Sequence, residues 1–168
     1  GSEMCIRDRL NADTGAYVHH YQQIPHDDKD YDTAAAPVLY EADGQKRMAV
    51  ATKAGYLFGY NEDSKSQVFK QAMIKTTNQE KPTTREGLPI CPNYSAGSQW
   101  SGPSYDPQHK MLFVNSVDWC GVVKLGEVRL IKGQLFFGGS MQLDPSEKAV
   151  GNTTAYDAAT GKPCLLYT

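Results

Sequence analysis

Short apolar runs alternate along this chain with polar segments, and turn-forming residues stand at the ends of each run. The clearest runs are residues 47–52, 55–60, 110–115 and 133–138. Runs of this length, rich in Val, Phe, Tyr and Thr and ended by Gly, Asn or Asp, predict β-strands. The polar stretch 71–88 has no clear period and predicts a long connection between strands. The chain is therefore predicted to be all-β, without a long amphipathic helix.

One acidic turn recurs along the chain. Residues 11–15, 61–65 and 157–161 are variants of the same Asn/Asp-x-x-Thr/Ser-Gly/Lys hairpin. Thr14 and Ser64 lie 50 residues apart, and Ser64 and Thr160 lie 96 apart, close to twice 48. A period of this size, built from short strands, is typical of β-propeller blades. We predict about three blades of four-stranded antiparallel sheet.

Composition and charge argue against two classes of protein, those that bind nucleic acid and those that span a membrane with helices. The 168 residues are 40% hydrophobic and 21% charged, which is typical of a globular domain. A net charge of −2 gives no long-range attraction to nucleic acid or to an anionic membrane. No apolar run approaches the roughly 20 residues that span a bilayer. Nucleic-acid partners and membrane-spanning helices are therefore not expected.

The two ends of the chain differ from the rest. Residues 1–9 and 164–168 resemble translated sequencing-adapter sequence, so both are expected to be foreign and to make few contacts, leaving the propeller segment at 10–163. That segment holds two cysteines, Cys91 and Cys120. A single pair suits one disulfide in an oxidising compartment, with two buried free thiols as the alternative.

Four carboxylates crowd the segment 27–32, at Asp27, Asp28, Asp30 and Asp32. Acids this close repel one another unless they are solvated or share a hard cation. The segment follows a strand-like run and leads into apolar chain, so it is a loop between strands of a packed domain. The pattern predicts a metal ion and a catalytic base in this loop.

Several motifs occur in a specific order. They are YQQIPHDxxDYD at 21–32, KAGY at 53–56, CP at 91–92 with GSQW at 97–100, SYDP at 104–107 and DxxTGK at 157–162. In this order they resemble the pyrroloquinoline-quinone (PQQ) dependent alcohol dehydrogenases, which are eight-bladed quinoprotein propellers of the bacterial periplasm. The resemblance implies a periplasmic fragment of an enzyme that oxidises a primary alcohol to an aldehyde and passes electrons to a cytochrome c.

The resemblance also implies roles for the acids of the loop. Asp30 falls on the family's catalytic aspartate, a general base beside the quinone and its metal ion. Asp32 resembles the additional acid of the lanthanide-using branch, and both acids are expected to bind the ion. Alternate residues of an extended strand face the same side, which would let both reach one cation. Calcium and a lanthanide remain alternatives.

Further residues are assigned by the same resemblance. Lys53 is expected against the quinone oxygens, where a cation favours reduced PQQ. Gln99 replaces a family asparagine that hydrogen-bonds the cofactor, and Trp100 either lines the cofactor cavity or fills a blade core. Cys91 and Cys120 match the spacing of a family disulfide. His26 and Asp27 are expected to orient the loop.

The chain also departs from the family. Lys29 stands in place of the commoner tryptophan, and the family's other metal-binding Glu and Asn, with the tryptophan under the quinone, would lie upstream of residue 10. An isolated segment is therefore expected to be inactive. A homodimer or a small partner subunit stays open for the full-length protein.

Two other functions compete. The first is a non-catalytic PQQ-like propeller that acts as an assembly scaffold, which would have no reason to retain the acidic cluster and Lys53. The second is a zinc hydrolase that uses His19, His20 and His26. Adjacent histidines on a strand point to opposite faces, and no spacing here matches a zinc signature.

Overall fold

The computed structural model describes residues 6–144 and 146–167, and within these residues all regular structure is β-strand. The strands are β1 (Ile6–Leu10), β2 (Tyr17–Gln22), β3 (Val38–Ala42), β4 (Gln45–Ala51), β5 (Tyr56–Asn61), β6 (Ser66–Ala72), β7 (Leu88–Ile90), β8 (Ser104–Asp106), β9 (Met111–Asp118), β10 (Gly121–Leu125), β11 (Gly139–Leu143), β12 (Val150–Asp157) and β13 (Pro163–Tyr167). The predicted all-β class is confirmed. In the described part of the chain, no helix has the length and apolar character needed to cross a membrane.

The strands form antiparallel sheets. One four-stranded sheet has the consecutive order β3-β4-β5-β6, and a second has the order β8-β9-β12-β13. Between β9 and β12 the chain leaves this second sheet, and β10 and β11 pair with β7 in a three-stranded sheet. The pair β1-β2 forms a two-stranded sheet. Of the about three four-stranded sheets predicted, the described residues form two, with one excursion inserted into the second of them.

The three recurrent turns share one hydrogen-bonding scheme, which explains their repetition in the sequence. In each turn the first side chain, Asn11, Asn61 or Asp157, accepts hydrogen bonds from the residues two or three positions later. Such Asx turns close a hairpin without help from distant residues. The turns join β1 to β2, β5 to β6 and β12 to β13.

The largest hydrophobic cluster lies between the two four-stranded sheets. Leu57 and Phe69 from the first sheet pack with Leu112, Val114 and Tyr156 from the second. Two hydrogen bonds reinforce the contact. The Tyr40 hydroxyl donates to the Ala158 carbonyl at 2.9 Å, and the Arg47 guanidinium donates to the Ala159 carbonyl at 2.6 Å. The recurrent turn at 157–161 is thus where one sheet docks on the next.

Residues 133–138 do not form the predicted strand. The chain is irregular there, and regular pairing begins only at β11. Leu135 and Phe137 are 86% and 82% exposed, so these apolar side chains have no sheet to pack against. Gly133 and Gly138 adopt positive φ values of 86° and 66°, which interrupt an extended strand at both ends.

The expectation that the two ends make few contacts is wrong for the described residues. Residues 6–10 form β1 and pair with β2, and β13 pairs with β12. The side chains of β13 are all exposed, so this end is held by backbone pairing at a sheet edge. The foreign origin of the end segments stays a prediction.

Candidate metal and cofactor site

The acidic loop connects β2 to β3 and has no regular structure. Asp30 adopts a left-handed backbone conformation with φ of 64°, which aspartate tolerates better than most residues. The expectation that Asp30 and Asp32 alternate along an extended strand is therefore wrong. A turn at Asp30, rather than strand pleating, brings the two carboxylates to one side.

A single lysine forms ion pairs with both carboxylates. Lys53 lies in the turn between β4 and β5, and its side chain is buried. Its Nζ donates to Asp30 Oδ2 at 2.7 Å and to Asp32 Oδ2 at 3.0 Å. Charge-assisted bonds of this length are strong and directional. The structure thus brings together the three residues that the resemblance assigns to the metal ion and the quinone.

Backbone contacts join a third segment to this group. The Lys53 amide donates to the Asp32 carbonyl at 3.1 Å, and the Ser98 amide donates to the Thr52 carbonyl at 3.0 Å. Gly97 has φ of 70°, and a Cβ at this position would overlap the Lys53 carbonyl. Only glycine allows the 97–100 segment to approach this closely.

The charges in this group do not balance. Two ionised carboxylates face one ammonium, which leaves a net charge of −1. Burial raises the pKa of Asp32, and the charge of Asp30 adds to this, while the hydrogen bond from Lys53 opposes it. Burial alone would lower the pKa of Lys53, but hydrogen bonds to both carboxylates raise it.

One oxygen of the group has no hydrogen-bond partner among the described residues. Asp32 Oδ1 is buried and accepts no hydrogen bond from any residue in the described part of the chain. A buried carboxylate oxygen without a donor is costly, and a bound cation would satisfy it. Asp30, by contrast, is 52% exposed at its side chain and is open to an incoming molecule.

Gln99 and Trp100 line an open groove of about 650 Å³. The groove is also lined by residues 115–117 of β9, 151–153 of β12, Tyr167 of β13, and Gly97 and Ser101. Trp100 is 81% exposed, so it lines a cavity and does not fill a blade core. Both residues directly follow Gly97 and Ser98, which contact the backbone of Lys53 and Thr52.

The predicted disulfide is present. Cys91 and Cys120 are bonded, with Cα atoms 4.4 Å apart. The bond joins the end of β7 to the turn before β10. The next residue, Pro92, accepts a hydrogen bond at 2.7 Å from the hydroxyl of Tyr31, which lies between the two acids of the site. The disulfide therefore lies next to the residue that anchors the Tyr31 side chain of the acidic loop.

Loss of this disulfide should lower the free energy of unfolding. The bond closes a loop with a sequence separation of 29 residues. For the double variant Cys91→Ser/Cys120→Ser we expect a loss of about 2–4 kcal/mol, which is typical of a disulfide that closes a loop of this size. Urea unfolding under non-reducing conditions measures it. Cys164→Ser, which removes the exposed free cysteine, is the control and should change little. Equal stability of the double variant and the wild type would contradict the prediction.

Two features of the loop were not predicted in detail. Lys29 is buried and forms an ion pair with Asp28, whose other oxygen accepts the Thr83 amide at 2.9 Å. Asp27 accepts backbone amides on both sides of Asp30. Aspartate side chains in turns commonly accept the backbone amide two residues later, so the bond from the Lys29 amide to Asp27 has a local signal in the sequence. The role of Lys29 depends on a contact 55 residues away in the sequence, between Asp28 and Thr83, so no local signal reveals it.

The histidines do not assemble a zinc site. His20 Nδ1 forms a hydrogen bond with the Tyr17 hydroxyl at 2.6 Å, and the His19 ring packs against the ring of Tyr21. Among the described residues, the one cluster of three ligand-type side chains contains Cys91, Cys120 and Glu147, and both cysteines are consumed by the disulfide. The geometry gives the zinc hydrolase hypothesis no support.

Comparison with known families finds a match to part of the chain. Residues 9–70 match the family described as the PQQ-type "Glucose/ethanol/alcohol dehydrogenase, beta-propeller domain". The match includes Asp30, Asp32 and Lys53. The resemblance to PQQ-dependent alcohol dehydrogenases is thereby confirmed.

Particular relatives agree with this class. The chain is 27% identical over 180 residues to "Methanol dehydrogenase [cytochrome c] subunit 1" of Methylorubrum extorquens, and 27% identical over 183 residues to the Paracoccus denitrificans protein of the same name. Each alignment covers 90% of this chain. The chain spans only 29% and 28% of the length of these two relatives.

Solved structures show the same fold. A quinohemoprotein alcohol dehydrogenase, ADHIIG, from Pseudomonas putida HK5 superposes with a TM-score of 0.81 at 18% identity, covering 97% of this chain and 29% of its own. A europium-containing methanol dehydrogenase superposes with a TM-score of 0.78 at 20% identity, covering 97% of this chain and 32% of its own. The sheets described above therefore have the fold of part of a β-propeller.

Proposed function

We propose that this chain is part of a quinoprotein alcohol dehydrogenase that oxidises a primary alcohol to an aldehyde with PQQ and a bound metal ion. The observation that carries the proposal is the pair of carboxylates, Asp30 and Asp32, which both bind one buried lysine, while one buried oxygen of Asp32 has no hydrogen-bond partner among the described residues. A scaffold protein without a cofactor has no use for such an arrangement. The names of the relatives support the same reaction class.

The residues present fit a hard metal ion. Calcium and lanthanide ions prefer carboxylate oxygens, and the group supplies two carboxylates with a net charge of −1. Binding the ion would give Asp32 Oδ1 the partner that it lacks among the described residues. The set is incomplete as a metal cage, since six to eight oxygens are usual for calcium, so further ligands would come from other parts of a longer chain.

The residues also fit the organic cofactor. The Lys53 ammonium would bind quinone oxygens, and Gln99 and Trp100, which follow the Gly97 contact with Lys53, would contact the cofactor. When bound, PQQ supplies the two-electron oxidant for the alcohol carbon. Asp30, the more exposed of the two acids, would accept the proton of the alcohol hydroxyl at its carboxylate.

The partners and the location follow from the same proposal. The substrate is a small primary alcohol, and a cytochrome c is the electron acceptor, as the name of the methanol dehydrogenase relatives suggests for them. A periplasmic location is proposed because the relatives are bacterial dehydrogenases and because the Cys91–Cys120 disulfide suits an oxidising compartment.

The proposal is tested on the full-length protein that carries this sequence. After removal of metal ions and PQQ, calorimetric titration with calcium, lanthanum and PQQ should show saturable binding, and dye-linked alcohol oxidation should return only when metal ion and PQQ are both present. The stripped protein without additions is the control. If neither metal ion nor PQQ binds and no alcohol is oxidised, the scaffold function is favoured instead.

A further inference from the structure

We infer that Asp27 is a positioning residue that holds the backbone of Asp30 in its left-handed conformation and so aims the Asp30 carboxylate at Lys53. The inference rests on the proposed function, since it concerns how the acids of that site are placed. It assigns Asp27 no contact with substrate, cofactor or metal ion.

Asp27 binds the chain on both sides of Asp30. Its Oδ1 accepts the Lys29 amide at 3.0 Å, and its Oδ2 accepts the Tyr31 amide at 2.7 Å. These two amides belong to the residues immediately before and after Asp30. The Tyr31 amide is in the peptide unit that follows Asp30, and the Lys29 amide is one unit before the Asp30 amide, so a single carboxylate holds the chain on both sides of Asp30.

The flanking side chains are anchored independently. Lys29 and Tyr31 are buried, whereas Asp30 between them is exposed. The Lys29 ammonium pairs with Asp28, and the Tyr31 hydroxyl donates to the Pro92 carbonyl at 2.7 Å. With both neighbours turned inward, a left-handed residue between them projects outward. Asp27 supplies the backbone bonds that keep this geometry.

Holding these two backbone amides requires a carboxylate at position 27. Two oxygens are needed to accept two separate amides, and an asparagine of nearly equal size would present an NH₂ group to one of them. Asp27→Asn should therefore lose one bond and weaken the other, without changing the volume of the side chain. Because Asp30 would then be oriented less well toward Lys53, metal binding and catalysis should both weaken.

The experiment compares Asp27→Asn with Asp106→Asn in the full-length protein. Asp106 is a matched control because its Oδ1 accepts the Gln108 and His109 amides in a turn between β8 and β9, away from the site. We expect Asp27→Asn to lower the affinity for lanthanum or calcium, measured without alcohol, by about 10- to 100-fold, the usual cost of losing a residue that orients metal ligands. In the active protein, kcat should fall by a similar factor while KM for the alcohol stays nearly unchanged.

Hydrogen exchange supplies a readout that does not depend on activity. The Lys29 and Tyr31 amides should exchange faster in Asp27→Asn than in the wild type, and Asp106→Asn should leave them unchanged. Asp27→Ser, which retains one acceptor oxygen, is a second variant in case the asparagine variant fails to fold. It should show the same direction of change in metal affinity and amide exchange.

The outcomes separate the two levels of the hypothesis. A wild-type protein that binds no metal ion would overturn the proposed function and the positioning role together. If the wild type binds metal ion and oxidises alcohol, but Asp27→Asn matches it in affinity and kcat, the positioning role alone is overturned. Equal losses in Asp106→Asn would also overturn it, since they would show a general effect of breaking a turn.

Discussion

Asp30→Asn is expected to abolish alcohol oxidation by the full-length protein. Asparagine tolerates the left-handed backbone that Asp30 adopts and has nearly the same size, so the change removes charge and basicity without forcing the loop to refold. The proposed proton acceptor is lost, which alone costs about 10²–10⁴-fold in rate. One of the two proposed metal-binding carboxylates is lost as well, so activity should fall below detection.

The measurement is dye-linked alcohol oxidation, with metal and PQQ content determined for each variant. Asp43→Asn is the matched control, because Asp43 is also left-handed, with φ of 53°, but lies exposed in the hairpin between β3 and β4. This control should keep full activity. Wild-type turnover by Asp30→Asn with PQQ and metal ion bound would show that another group takes the proton, and the catalytic assignment would then be wrong.

The parts of the fold that were predicted from the sequence depend on local chemistry. The turns that begin at Asn11, Asn61 and Asp157 are closed by their own side chains, so their spacing alone revealed the repeat. The runs that became β4, β5 and β9 are apolar and bounded by such turns. Each element needs little information from the rest of the chain to adopt its conformation.

The parts that were not predicted depend on distant contacts. Residues 133–138 are as apolar as a strand, but the neighbouring sheet is built from β7, β10 and β11, and its register leaves them outside. The excursion of β10 and β11 away from the second four-stranded sheet has no local signal either. Whether an apolar run pairs as a β-strand therefore depends on which strands the fold brings beside it.

The site shows the same division. Motif resemblance placed Asp30, Asp32 and Lys53 in one site, and the structure brings them together. The expected strand geometry was wrong, because the left-handed turn at Asp30 is imposed by bonds to Asp27 and by burial of the neighbouring side chains. The order of residue types in the sequence indicated which side chains form the site. The orientation of these side chains depends on hydrogen bonds that the order does not indicate.

Asp32→Asn is expected to change which metal ion supports activity. Asp32 contributes a full negative charge, and its Oδ1 is buried without a hydrogen-bond partner in the described residues. At about 4 Å and an effective dielectric constant of about 20, each pair of unit charges interacts by about 4 kcal/mol. A trivalent ion therefore loses more than a divalent ion when this carboxylate is neutralised.

Calcium-supported activity should accordingly survive in Asp32→Asn, while lanthanide-supported activity should be lost. The ratio of lanthanum to calcium affinity should fall by at least about 10-fold, a conservative share of the Coulomb difference after solvent screening. Calorimetric titration of the stripped full-length protein measures both affinities, and reconstituted turnover with each ion provides the second readout. Asp43→Asn again serves as the control and should leave the ratio unchanged. If Asp32→Asn weakens both ions by the same factor, Asp32 contributes to the stability of the loop and not to the choice of metal, and its buried oxygen would need another partner.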